Sequence, residues 1–219
     1  MATKKTTSET ALLEQYRVAL ENASQQPKIA AAMSQLGYDA AKISEGITLL
    51  TQTREAYDNN KGEDDDSSEA YDAFATHKQK LAETYRMHRK KAKVVFHDDP
   101  VIAEKLDITG PIPKAYLNWL ETVKKFYAVA LMDADIRAAL SSLKITGEDL
   151  NDAREAINEL ESARSGYLME KGEAQDATKT KDAAFAQMDK WMRKFYAVAR
   201  IALEDRPQLL EALSKQVKS

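Results

Sequence analysis

A shift of 110 residues brings two long stretches of this 219-residue chain into register. ITLLTQTREAYDNNKGE at 47–63 lies over INELESARSGYLMEKGE at 157–173. Ile47 meets Ile157, Leu50 meets Leu160, Arg54 meets Arg164 and Tyr57 meets Tyr167, and Lys61-Gly62-Glu63 meets Lys171-Gly172-Glu173. Asp72-Ala73 then meets Asp182-Ala183. A shift of 111 places Tyr16, Val18, Ala19 and Leu20 over Tyr127, Val129, Ala130 and Leu131. A shift of 107 places Pro100, Glu104 and Leu106 over Pro207, Glu211 and Leu213. Blocks in constant order with small changes of offset read as two copies of one unit. The expected halves are 1–109 and 110–219, divided at the Gly110, Pro111, Pro113 break.

The repeated material is helical in pattern. Only 7 Gly and 5 Pro interrupt the chain, and 31% of it is charged, the profile of an all-α protein. Leu13, Tyr16 and Leu20 recur at helical spacing in a helix expected over 8–23, as do Leu117, Leu120, Tyr127 and Leu131 over 114–132. Pro27 and Ala134 open short helices, at 27–36 and 134–143. A longer helix is expected over 39–61, and its counterpart starts after Thr146, a natural N-cap with Asp149 three residues on. Gly62 and Gly172 read as stops or kinks. Asp64, Asp65, Asp66, Ser67 and Ser68 then read as the capped start of a third helix. Its seam of Tyr71, Phe74, Lys78, Leu81, Tyr85, His88, Ala92 and Val95 alternates three and four, the heptad spacing. Pro100 and Pro207 open short terminal helices. The sum is an elongated helical bundle of about six long helices plus short connectors, its halves packed with pseudo-twofold symmetry. The phrase FYAV, at 126–129 and 195–198, supplies aromatic knobs to the shared core.

Composition narrows function mainly by exclusion. The net charge is -3, so no global field draws the chain to nucleic acid or anionic lipid. The absence of Cys removes disulfides, thiolate metal sites and Cys nucleophiles. The sequence lacks a Glu-x-x-His pair, a His-Glu-x-x-His motif, a Gly-rich phosphate loop and a Gly-x-Ser-x-Gly elbow, so no metal or cofactor is expected. GEDDDSSE at 62–69 imitates a calcium loop but has Glu69 where the loop needs Gly. No apolar run approaches membrane-spanning length. No signal peptide opens the chain, so a cytoplasmic location is expected, with export that uses no N-terminal signal left open.

Three functional readings follow. The first is a non-enzymatic structural or interaction protein, a scaffold, adaptor or self-assembling subunit, that works through helical surfaces on protein partners or on copies of itself. The polar ends MATKKTTSE and KQVKS are of the kind that frays unless a neighbouring subunit holds them. The second is a small anionic ligand bound in a pocket between the repeats by Arg54, Arg164, Tyr57 and Tyr167, arginine being suited to carboxylate or phosphate. Against it stands a register-fixing ion pair, the commoner use of such an Arg, with Asp72 and Asp182 as partners. The third is a nucleic-acid strip formed by Arg86, Arg89, Lys90, Lys91 and Lys93, with Tyr85 and Phe96 beside it. The dull alternative for that cluster is complementing a helix dipole. His88 sits on the seam, where the other copy has Val198, so it is read as a packing residue.

Overall fold

The computed structural model describes residues 7–214 and is all-helical, with no strand among them. The helices are α1 (Glu9–Gln25), α2 (Pro27–Gln35), α3 (Ala40–Val95), α4 (Pro100–Lys105), α5 (Tyr116–Met132), α6 (Ala134–Ser141) and α7 (Gly147–Ala202), followed by a 3-10 helix at Pro207–Leu213. The expectation concerning the chain ends falls largely on residues 1–6 and 215–219, outside the described residues.

Local chemistry explains most of the boundaries. The Ser8 side chain accepts from the Ala11 amide at the start of α1. Asp39 accepts from the Lys42 amide at the start of α3. Asp99 and Asp133 cap α4 and α6 in the same manner. The expected cap at Thr146 is a closed box: Asp149 donates its amide to Thr146 Oγ1 at 3.1 Å, and Asp149 Oδ2 accepts from the Thr146 amide at 2.7 Å. Each such cap contributes roughly 1 kcal/mol.

Three linked expectations are corrected. Gly62 and Gly172 stop nothing, and α3 and α7 each run unbroken for 56 residues. The Asp64–Ser68 run is therefore mid-helix, not an N-terminus. An internal Gly costs a helix only about 1 kcal/mol, and packed segments on both sides outweigh it. In place of about six long helices there are two of 56 residues and two of 17.

The chain divides into two compact units, and neither is a sequence half. Unit 1 takes the described parts of Met1–Asp64 and Gly172–Ser219, and unit 2 takes Asp65–Lys171. Unit 1 thus consists of α1, α2, the first part of α3, the last part of α7 and the 3-10 helix. Its core joins Tyr16, Leu20, Ile29, Met33, Ile43, Met188, Met192, Phe195 and Leu213. Gln15 Nε2 and Asn22 Nδ2 donate to the carbonyls of Ser214 and Ala212, binding α1 to the 3-10 segment. Tyr16 donates its hydroxyl to Asp189 at 2.7 Å. Farther along α3, the buried Asn60 donates to Thr178 Oγ1 at 3.2 Å, and Thr53 donates to the Leu49 carbonyl.

Unit 2 holds the rest of α3, α4, α5, α6 and the start of α7. Leu81, Tyr85, Phe126, Tyr127, Ile136, Leu140, Leu150 and Leu160 form its centre. The heptad seam is buried where it was expected at Leu81, Tyr85, His88 and Ala92, but Tyr71 and Lys78 lie exposed.

Glycine use separates two kinds of position. A Cβ on Gly46 would lie 2.4 Å from Trp191 Cη2, whereas nothing approaches within 4 Å at Gly172. Gly46→Ala should therefore cost about 1–3 kcal/mol through overpacking. Gly172→Ala should gain about 0.5–1 kcal/mol through chain entropy. Urea denaturation midpoints of the two variants, moving in opposite directions, would check both statements.

Candidate functional site

Unit 1 carries a groove of about 630 Å³ between α1 and α3. Leu13, Ile47 and Leu50 form its apolar surface, and it continues past Leu20 toward Ser24. Ile47 is 43% exposed, unusual for a residue on a packing stripe. Charges border the apolar strip. Arg17 is spanned by Glu14 and Glu21, at 2.8 and 2.6 Å. Arg54 donates Nε to Asp58 Oδ2 at 2.8 Å. Glu55 also lines the groove and has no partner among the described residues.

The same register looks different in unit 2. Ile157 is only 5% exposed and Leu160 fully buried. There α5 lies close over α7, and Lys124 reaches Glu161 at 2.6 Å. The residues standing at those two positions in unit 1 are Leu13 and Thr51, which cannot form that bridge. The groove was not foreseen from the sequence. Its signal was present: the Lys124–Glu161 pair of one stretch is replaced by Leu13 and Thr51 at the aligned positions of the other.

The four residues of the expected anion site fall in different units. Arg54 and Tyr57 belong to unit 1, Arg164 and Tyr167 to unit 2. In unit 1 the Arg54 guanidinium is 5.8 Å from the Tyr57 ring centroid, Thr10 shares a 3.0 Å hydrogen bond with Tyr57, and Asp58 is the arginine's ion-pair partner. In unit 2 Arg164 lies 4.1 Å over the Tyr116 ring, while Tyr167 stacks on Phe74 with centroids 6.0 Å apart. Each arginine is thus engaged with an aromatic ring of its own unit, a cation–π contact worth about 0.5–1 kcal/mol at such exposure. Neither Asp72 nor Asp182 pairs with an arginine among the described residues; Asp182 lies 3.7 Å from Lys181.

The basic segment is not uniform. Arg86, Lys90 and Lys93 are exposed. Lys91 is half-buried and reaches the Lys144 carbonyl at 3.5 Å. Arg89 is buried, donating Nη2 to the carbonyls of Ile108 and Gly110. It therefore holds the Gly110 break against α3, and its charge is directed inward.

His88 packs in the seam as expected and also carries a polar contact. Its Nδ1 and the Tyr127 hydroxyl are 3.1 Å apart in the core of unit 2. Burial pushes the His88 pKa below its ordinary 6.5, with Lys91 adding to the effect and Asp149 opposing it. Burial pushes the Tyr127 phenol upward. His77 faces Glu159 at 3.5 Å, and His97 is an exposed neighbour of Asp98.

No helix among the described residues is long and apolar enough to cross a membrane. Neither a family model, a curated protein nor a solved structure matches the chain.

Two outcomes follow from these placements. Arg89→Met should cost about 2 kcal/mol or more by chemical denaturation, since two carbonyls lose a charged donor. Lys90→Met at the exposed neighbour should stay within about 0.5 kcal/mol. For His88, the unfolded state binds more protons than the folded state between the lowered folded pKa and the ordinary 6.5. Its stability contribution is present above 6.5, falls as pH drops below it and levels off beneath the folded pKa. The loss in urea midpoint between about pH 7 and about pH 5 should be smaller in His88→Gln than in the parent chain.

Proposed function

We propose that the protein is a non-enzymatic interaction subunit and that it engages helical partners through the groove between α1 and α3. The observation that carries this reading is the exposed Ile47 with the half-buried Leu50 beside it, set against the covered Ile157–Leu160 stripe of the same register. An apolar strip with a charged border is the usual form of a helix-binding groove. The occupant that fits is an amphipathic helix with an apolar stripe flanked by lysines. Both arginines at the border are already neutralised, by Glu14 and Glu21 and by Asp58, so Glu55 and the surplus carboxylate beside Arg17 face outward as acceptors. In unit 2 the helix that covers the corresponding stripe also contributes a lysine, Lys124.

A synthetic peptide with the sequence of residues 114–132 serves as the probe. The expected result is saturable binding to the full chain that Ile47→Lys weakens by about tenfold or more. Absence of binding, or equal binding by Ile47→Lys, would remove the reading. Ile47 is exposed enough that this substitution should leave folding within about 0.5 kcal/mol. Sedimentation of the same two chains at micromolar concentration separates the self-assembling form of the proposal. Association that Ile47→Lys abolishes would assign the groove to a second copy of the chain.

A further inference from the structure

In unit 2 the outward side of α3 carries Arg86, Met87, Lys90, Lys93 and Val94, while Leu81, Tyr85, His88 and Ala92 turn into the core. Met87 is 54% exposed and Val94 65%. Among the exposed large apolar side chains of the described residues, these are the only two set two turns apart on one helix. Ile201 of α7 has Lys194 at that spacing instead. Arg86, Lys90 and Lys93 have no ion-pair partner among the described residues. Lys93 stands in the last turn of α3, where a cation complements the helix dipole. Arg86 and Lys90 lie farther back, where that effect has faded, so the dipole does not account for them.

We propose that this face, presented by a second copy of the chain, is the occupant of the unit 1 groove. The inference rests on the reading of that groove as a helix-binding site, and it names the helix. An apolar stripe flanked by cations is what the groove calls for, and the charges agree in sign and in spacing. Glu14 and Glu21 stand seven residues apart on α1 along the groove. Arg86 and Lys93 stand seven apart beside Met87 and Val94, about 10 Å along a helix in each case. Glu14 and Glu21 share the single guanidinium of Arg17, so together they keep a net negative charge. Lys90, between the two apolar residues, is left for Glu55, which lines the groove without a partner of its own among the described residues. Met87 and Val94 then cover Ile47 and the half-buried Leu50. Because α3 runs unbroken through both segments, a chain cannot seat this face in its own groove, and the helix must come from another copy. The contact joins two different surfaces, so each added copy still offers one of each. Contacts of that kind build rings or open chains of subunits, not closed pairs.

Sedimentation of the full chain tests the proposal. The parent should associate beyond a dimer as its concentration rises to about 100 μM, and less so when salt is raised from about 0.05 M to about 0.5 M. The double variant Arg86→Glu, Lys93→Glu and the single variant Ile47→Lys should each weaken association by about tenfold or more. All three positions are exposed, so both variants should keep the helical circular dichroism of the parent. Mixed in equal amounts, the two variants should form a dimer and nothing larger, because the intact face of one meets the intact groove of the other. A parent that stays monomeric or stops at a dimer would overturn the proposal, as would a mixture that does not pair. Association lost in Ile47→Lys but kept in Arg86→Glu, Lys93→Glu would overturn it too, and would assign the groove to a different surface of the second copy. Binding of the 114–132 peptide to the Arg86→Glu, Lys93→Glu variant reads the groove by itself, so a failed groove and a failed partner face give different results.

Discussion

Each 56-residue helix belongs to two cores at once, and the remainder of the architecture depends on that continuity. Helices of ordinary length gain their stability from one packed face. Here α3 contributes Ile43 to the core of unit 1 and Leu81, Tyr85 and Ala92 to that of unit 2. In the other direction, α7 contributes Leu150, Ile157 and Leu160 to unit 2, then Met188, Met192 and Phe195 to unit 1. Between these anchored ends the helices carry polar residues such as the Asp64–Ser68 run, which no core needs. A break at Gly62 or Gly172 would separate a core segment from its connection, so helical continuity prevails over the roughly 1 kcal/mol that each glycine costs. The consequence is that a unit of packing draws on both halves of the sequence.

Within that frame, corresponding positions take on different physical roles by changes of one residue at a time. Where α5 lies over Ile157 and Leu160 a Lys–Glu bridge borders the contact, and where Leu13 and Thr51 stand at those positions the matching stripe is partly open. Trp191 lies over the bare backbone of Gly46, and the aligned positions in unit 2 hold the smaller Leu81 and the bulkier Ala156. Val198 is exchanged for His88, which introduces a polar contact with Tyr127 in the middle of an aromatic cluster. Aromatic rings contribute large buried areas, so a single gain or loss of a ring decides whether a gap closes.

Much of the fold could be read in the sequence because it is local. Caps at Ser8, Asp39, Asp99 and Thr146, the proline openings at Pro27, Pro100 and Pro207, and the buried seam from Leu81 to Ala92 all follow from side chains near the backbone they organise. Gly62 misled because a glycine carries the same local signal whether a helix ends there or passes through, and distant packing settles which. The basic segment was ambiguous for a related reason. Arg89 and Lys90 are neighbours of like charge, but only Arg89 meets two carbonyl groups supplied by the Ile108–Gly110 segment nineteen and twenty-one positions away. The groove was illegible from the Ile47–Leu50 stretch alone, since it depends on which side chains the neighbouring helix brings to it.

That last point bears on where function resides in such a chain. Positions that match across the register and are buried in both units, such as Ala19 with Ala130 or Tyr16 with Tyr127, answer demands common to both cores: filling space and holding helix spacing. Shared demands cannot distinguish one unit from the other. Positions that differ are free of that common demand, and in two places the difference leaves a groove partly open or introduces a buried polar contact. Leu13 and Thr51 line the first, and His88, in contact with Tyr127, supplies the second. Leaving apolar surface open costs roughly 25 cal/mol for every Å² that could have been buried. The unit that carries such an opening forgoes stability that its counterpart keeps, and the helical partner proposed for the groove would restore that burial.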